Sequence, residues 1–161
     1  MQKITPFLWF NTNAEEAVAF YMSVFKDAKL LKTTRYTEAG PGPAGSLMTA
    51  VFELQGQQFI ALNGGPAFQF TEAISFVVNC EGQDEIDELW EKLSEGGEKD
   101  RCGWVKDRFG LWWQVVPATL GELMSGSDAE RTKRVMQAML KMSKLDLRLL
   151  EEAYNQAGET V

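Results

Sequence analysis

The chain of 161 residues contains no histidine. Without an imidazole it cannot build Ser-His-Asp or Cys-His catalysis, histidine general-acid chemistry, or a histidine-bearing zinc site. Cysteine is almost as scarce. Cys80 and Cys102 are too few for a four-cysteine metal site; one disulfide between them is open, and two free thiols in a reducing cytoplasm is the plain reading. Basic residues number 16 against 23 acids, a net charge of −7, which argues against a nucleic-acid partner held through its phosphates. No apolar run approaches the roughly 18 residues of a membrane span. The opening MQKITPFLWF lacks the basic region and small-residue cleavage site of a secretory signal, so a cytoplasmic location is expected.

What remains is globular in character. Apolar residues make up 45% and charged residues 24%, and the length suits a single domain. Residues 3–10 read as a strand. Asn13 and Glu16 have capping-box spacing ahead of a helix whose apolar face is Ala17, Val18, Tyr21, Val24 and Phe25. LLKTTRY reads as β, EAGPGPAG as a Gly/Pro loop, and LMTAVFEL and QFIALN as a hairpin turning at Gln55-Gly56-Gln57.

The pattern then restarts. AISFVVNC is a strand, Ile86, Leu89, Trp90 and Leu93 share a helical face, and CGWVKD and LWWQVVP are strands around Arg108-Phe109-Gly110. A shift of 68 places Val18 on Ile86, Tyr21 on Leu89, Met22 on Trp90 and Phe25 on Leu93. A shift of 54 places Gly56 on Gly110, and Phe59 and Ala61 on Trp113 and Val115. The 14-residue difference falls where the first half carries its Gly/Pro loop. The expected fold class is α+β: two βαβββ modules, residues 1–66 and 71–118, in a single domain, followed by a helical tail over 119–161. In the tail, Thr119 with Glu122 and Ser127 with Glu130 have capping-box spacing, and Asp146 can cap a last helix with Leu145 and Leu150 as its staple. Four of the seven methionines lie there, a pattern of adaptable core or interface packing.

ITPFLWF with AEEAVAFYMSVF, then FIALNGGP, TEAISFVVNC, CGWVKDRFGLWWQVVP and RVMQAMLKMSKLDL form an ordered set that resembles PhnB-like members of the vicinal oxygen chelate superfamily, the glyoxalase/bleomycin-resistance fold. The resemblance implies that each module is half a barrel and that the halves enclose a cavity. It also implies metal-ligand positions on the first and last strand of each module, here Thr5, Ile60, Ala73 and Gln114. One hydroxyl and one amide cannot hold a divalent ion against water, so no metal and no cofactor are expected. Some relatives are labelled ubiquinone-pathway methyltransferases; no glycine-rich strand–loop–helix is present to cradle S-adenosylmethionine. Paired-module proteins of this kind are commonly homodimers, and a homodimer is expected.

Strand parity separates the two faces of each sheet. Ile74, Phe76, Val78, Trp113 and Val115 suit the helix-packed side. Their alternates, with the residues placed by the repeat, make a cavity lining of Thr5, Phe7, Trp9, Gln58, Ile60, Leu62, Ala73, Ser75, Val77, Trp112, Gln114 and Val116. Apolar walls with sparse polar groups point to a hydrophobic or aromatic small molecule as ligand. An enzyme of the same superfamily, of lyase, isomerase or dioxygenase type, is the alternative. Lesser candidates have bland readings beside them. Arg35-Tyr36 could clamp an anion or phenol or simply end a strand. Glu53 and Asp107 could be an acid–base pair but are expected in surface ion pairs. The GPGPAG loop could be a lid or a connector, and Cys102 is expected to be an inert strand thiol.

Overall fold

The computed structural model describes residues 2–156, so the last five residues of the expected tail lie outside the described residues. The chain divides after Phe70 into two compact units. In the first, β1 (Phe7–Phe10), α1 (Ala14–Val24), β2 (Ala28–Arg35), β3 (Leu47–Leu54) and β4 (Gln57–Asn63) form a four-stranded sheet ordered β1-β4-β3-β2 with one helix. In the second, β5 (Ser75–Cys80), α2 (Gln83–Ser94), β6 (Glu98–Lys99), β7 (Trp104–Lys106) and β8 (Trp112–Pro117) repeat that order as β5-β8-β7-β6. In each module the first and last strands are parallel and the remaining pairs antiparallel. The expected pair of βαβββ modules is therefore what the sequence makes.

Helix α1 buries Ala14, Ala17, Val18, Tyr21 and Val24, and α2 buries Ile86, Leu89, Trp90 and Leu93. Tyr21, Phe52 and Phe59 stack in series at 6.2 and 5.4 Å between ring centres, the aromatic spine of module one. Rings packed this way add to the stability that burial alone provides. The β3–β4 connection is two residues, Gln55 and Gly56, with φ of 50° and 81°. Both lie in the left-handed region that a tight hairpin demands. Gln55 tolerates it with support: its N–H donates to the Asp27 carbonyl and its side-chain amide to the Lys26 carbonyl.

The two halves differ by 16 residues rather than 14. Phe7 pairs with Ile60, 53 positions on, whereas Ser75 pairs with Trp112, 37 positions on. Matching Gly56 to Gly110 misleads because the hairpins close differently: two residues separate Leu54 from Gln57, and five separate Lys106 from Trp112. The error of two preserves strand parity, so the assignment of faces survives it. The observed β1 and β5 are also shorter than the expected strands over 3–10 and 73–80. Thr5, Ala73 and Ile74 precede them, and Ile74 is exposed rather than packed against the helix.

Of the four expected caps, two are replaced, one is absent and one forms. Asn13 makes no side-chain cap; the Ala14 N–H donates instead to Asn63 Oδ1, 2.8 Å away at the end of β4. Thr119 makes none for α3 (Leu120–Ser125). The cap of α4 (Ala129–Met139) is Asp128 rather than Ser127, accepting from the N–H groups of Glu130 and Arg131. Asp146 does cap α5 (Leu147–Asn155), accepting from the Leu149 N–H at 3.0 Å.

The tail packs onto module two. Val116, Leu123, Val135, Leu145 and Leu150 form a buried cluster, flanked by Met124, Met139 and Met142. Gln83 at the start of α2 donates to the Leu145 carbonyl and accepts from the Leu147 N–H, and Lys144 pairs with Asp87 at 2.9 Å. The paired lysine, followed by the Gln83 amide, lowers the Asp87 pKa below the ordinary aspartate value. Val116, expected in the cavity lining, is thus a core residue under the tail.

Candidate functional site

In module one the side opposite the buried face carries Phe7 and Trp9 on β1, Gln58, Ile60 and Leu62 on β4, and Thr49, Val51 and Glu53 opposite them on β3. Leu8, Phe10, Phe59 and Ala61 alternate onto the buried face. Phe7 is 54% exposed. Trp9 is held more firmly than a ligand wall requires: its indole N–H donates to the Gly65 carbonyl at 2.9 Å, and Phe68 meets its ring edge-on at 4.9 Å. Gly64 passes so close that a Cβ there would strike the indole. Thr5 and Gln58 are drawn together by Gln2, a residue the sequence reading did not single out. Its amide N–H groups are shared among the Thr5 hydroxyl and the carbonyls of Ile4 and Gln58, and its Oε1 accepts from the Gln58 N–H.

In module two the corresponding face carries Ser75 and Val77 on β5, Trp112 and Gln114 on β8, and Trp104 and Lys106 on β7. Gln114 donates to the Ser75 hydroxyl oxygen at 2.9 Å. Trp104 and Trp112 meet edge to face at 6.2 Å. Trp104, like Gln2, is absent from the expected lining; the register opposite Gln114 is what puts it on this face of the sheet. Each face ends in an ion pair, Lys29 with Glu53 at 3.4 Å and Lys106 with Glu98 at 3.6 Å. Glu53 therefore sits in the kind of pair expected for it.

Asp107 does not. It is 1% exposed, its Oδ2 accepts from the Trp113 indole N–H at 2.9 Å, and its Oδ1 accepts from the N–H groups of Phe109 and Leu111. It shapes the β7–β8 turn from inside, where a carboxylate is tolerated because several N–H groups answer it. Tyr36 is also buried: its hydroxyl donates to the Asn63 carbonyl at 2.5 Å, and Gly40 and Gly42 lie tight against its ring. The Gly/Pro loop is accordingly wrapped on a tyrosine, with Arg35 donating to the Gly45 carbonyl. Cys102 lies in a turn rather than a strand, at φ 57°, its N–H donating to the Met142 carbonyl. Burial, with Glu85 adding repulsion, pushes the Cys80 thiol up to about 12.

The observed register makes Leu62, not Ile60, the match of Gln114, so the positions that the resemblance gives as metal ligands carry a hydroxyl (Thr5), two hydrocarbon side chains (Leu62 and Ala73) and an amide (Gln114), a donor set that does not fit a divalent ion. Among the described residues, no three His, Cys, Asp or Glu side chains gather as a metal-holding group. No described helix is long and apolar enough to cross a membrane.

Paired βαβββ modules of this order and register define a protein of the vicinal oxygen chelate, glyoxalase-like fold. Residues 2–116 match the sequence profile of the family described as 3-demethylubiquinone-9 3-methyltransferase, and the chain belongs to that PhnB-like family. The matched stretch ends at Val116, just ahead of the tail. A Bacillus cereus PhnB protein bearing the same methyltransferase description is 38% identical, with a TM-score of 0.65 over 71% of this chain and 99% of that one. A Pseudomonas aeruginosa protein is 25% identical, with a TM-score of 0.60 over 73% of this chain and 98% of that one. The Listeria monocytogenes fosfomycin resistance protein FosX, solved with Mn(II) and sulfate, is 16% identical, with a TM-score of 0.51 over 76% and 95%, a likeness of fold. No curated protein matches the chain.

Proposed function

We propose that this chain binds a hydrophobic or aromatic small molecule, using the sheet faces that carry Phe7, Trp9, Ile60 and Leu62 in module one and Trp112 and Gln114 in module two, without a divalent metal. The carrying observation is the composition of these faces: aromatic and aliphatic walls with Thr5, Gln58, Ser75 and Gln114 as sparse neutral polar groups. Such a mixture suits orientation of an apolar ligand by a few hydrogen bonds. A metal-dependent reaction lacks support here, because Thr5, Leu62, Ala73 and Gln114, like Ile60, offer no anionic or imidazole donor. Methyl transfer, which the family description names, lacks support for a different reason. The β1–α1 link is Asn11-Thr12-Asn13 and the β5–α2 link is Glu81-Gly82, neither the glycine-rich loop that cradles a nucleotide-type cofactor.

Thermal-shift screening of the full chain against aromatic and hydrophobic metabolites tests the binding reading; several hits that lose effect in Ile60→Asp and Trp112→Ala are expected. Stoichiometric metal in protein purified without chelators, or heat on titration with S-adenosylmethionine, would instead favour an enzyme. In the same proposal the protein is a cytoplasmic homodimer, a setting compatible with its two free thiols.

A further inference from the structure

The tryptophans of this chain are not treated alike. The indole N–H groups of Trp9 and Trp113 are spent on Gly65 and Asp107. Trp104 and Trp112 share one face of module two, and neither indole N–H has a hydrogen-bond partner among the described residues. Trp112 is 9% exposed, but among the described residues no buried side-chain N–H lacks a partner, so its indole N–H opens to solvent and would lose that water when a ligand covers the face. Gln114, across from Trp104 in the ladder, commits one amide hydrogen to Ser75 Oγ and keeps a second N–H and its Oε1 uncommitted; the Ser75 hydroxyl hydrogen is likewise uncommitted. One small aromatic area thus gathers two indole N–H groups, an amide N–H and a hydroxyl as donors, against one amide oxygen and the second lone pair of the Ser75 hydroxyl as acceptors. None is charged. The nearest cation in the ladder, Lys106, opposite Trp112, is matched by Glu98 at 3.6 Å.

Resting on the binding function proposed above, we infer that the Trp104–Trp112–Gln114–Ser75 face takes a planar, uncharged aromatic molecule bearing carbonyl or ether oxygens. The rings supply stacking surface, the neutral donors satisfy acceptor oxygens, and the Glu98 carboxylate beside Lys106 leaves the face without the net positive charge that would repay a carboxylate or phosphonate for its lost hydration. A bare hydrocarbon would cover the same face and leave these donors stripped of water and unanswered, the situation in which polar sites discriminate most strongly.

The test is a titration of the 15N-labelled full chain followed by amide and indole NMR, with three probes of similar size: coumarin (uncharged, with lactone carbonyl and ring oxygen), naphthalene (no oxygen) and coumarin-3-carboxylate (anionic). Trp104→Phe and Trp112→Phe assign the indole signals. Coumarin is expected to shift the Trp104 and Trp112 indole resonances and to bind at least about tenfold more tightly than either other probe. Gln114→Leu should bring coumarin down to the affinity of naphthalene, and Ser75→Ala gives the same reading in smaller measure should the leucine variant not fold. Equal or tighter binding of the carboxylate or of naphthalene overturns the inference. So does coumarin binding that moves the Trp9 indole alone, and in that case the broader binding function stands. No binding of any probe at millimolar concentration overturns that function as well.

Discussion

Asp107 is the residue at which charge and burial meet most sharply. Its carboxylate answers three N–H groups, two in the turn and one from Trp113. Asp107→Ala leaves those donors without an acceptor in a region closed to water, and a loss of about 2–4 kcal/mol is expected from denaturant unfolding. Asp107→Asn should cost less, because an amide oxygen can still serve the turn while its NH2 faces the indole donor. Equal stability of all three proteins would refute this account of the turn. Nothing local in KDRFG distinguishes a buried aspartate from a solvated one; Trp113, six residues on, is what makes it visible. Cys80 gives the pH counterpart. Its folded thiol titrates at about 12 instead of about 9, so its contribution to stability is complete below about 9 and is lost as pH rises toward 12. Wild-type stability should therefore fall more steeply across that interval than that of Cys80→Ala, in which the thiolate cannot form.

At the level of elements, the tail lies beyond the family's matched stretch and packs within the second unit. Leu145 and Leu150 are fully buried beside Val116, and Gln83 hydrogen-bonds both sides of the α5 entry. Leu145→Ala should cost about 2–5 kcal/mol through lost burial and an unfilled cavity, read from the unfolding midpoint. Gln83→Ala, which removes two backbone partners, should raise amide exchange in α5 ahead of the rest of module two; uniform exchange would show that these bonds do not hold the tail. The staple Leu145–Leu150 was legible because capping motifs are local. Asn63 as a cap for α1, and Gln83 as an anchor for α5, were not, since each acts across some fifty or sixty intervening residues. The Ser127 cap failed for a smaller reason: Asp128, one position on, has a side chain equally able to accept the first-turn N–H groups.

Across the molecule, the duplication was readable because a period of two and a period of 3.6 survive divergence even where identities do not. The faces assigned to Phe7, Trp9, Ile60, Leu62, Ser75, Trp112 and Gln114 came through a register error of two because parity repeats every second residue. Trp104 and Gln2 escaped notice because their relevance arises from what they stand beside, Gln114 in one case and Thr5 with Gln58 in the other. The tail's inner apolar residues are used within its own unit. The proposed homodimer is checked by sedimentation of the full chain, where a monomer refutes it; with the tail's inner residues so used, replacing the exposed tail residues Leu140 and Leu149 by glutamate is expected to leave the dimer intact, and its loss would assign the contact to the tail.

The connection between the modules has a practical consequence. Its first part is laced to β1, with Gly64 N–H on the Phe10 carbonyl, Gly65 N–H on the Asn11 carbonyl, and Phe70 edge-on to Phe10 at 5.2 Å. The lacing ends where the second unit begins. A glycine-serine spacer inserted between Phe70 and Thr71 would thus lengthen the tether while sparing each half its own ladder, and any property that fades with spacer length would be one that the halves make jointly.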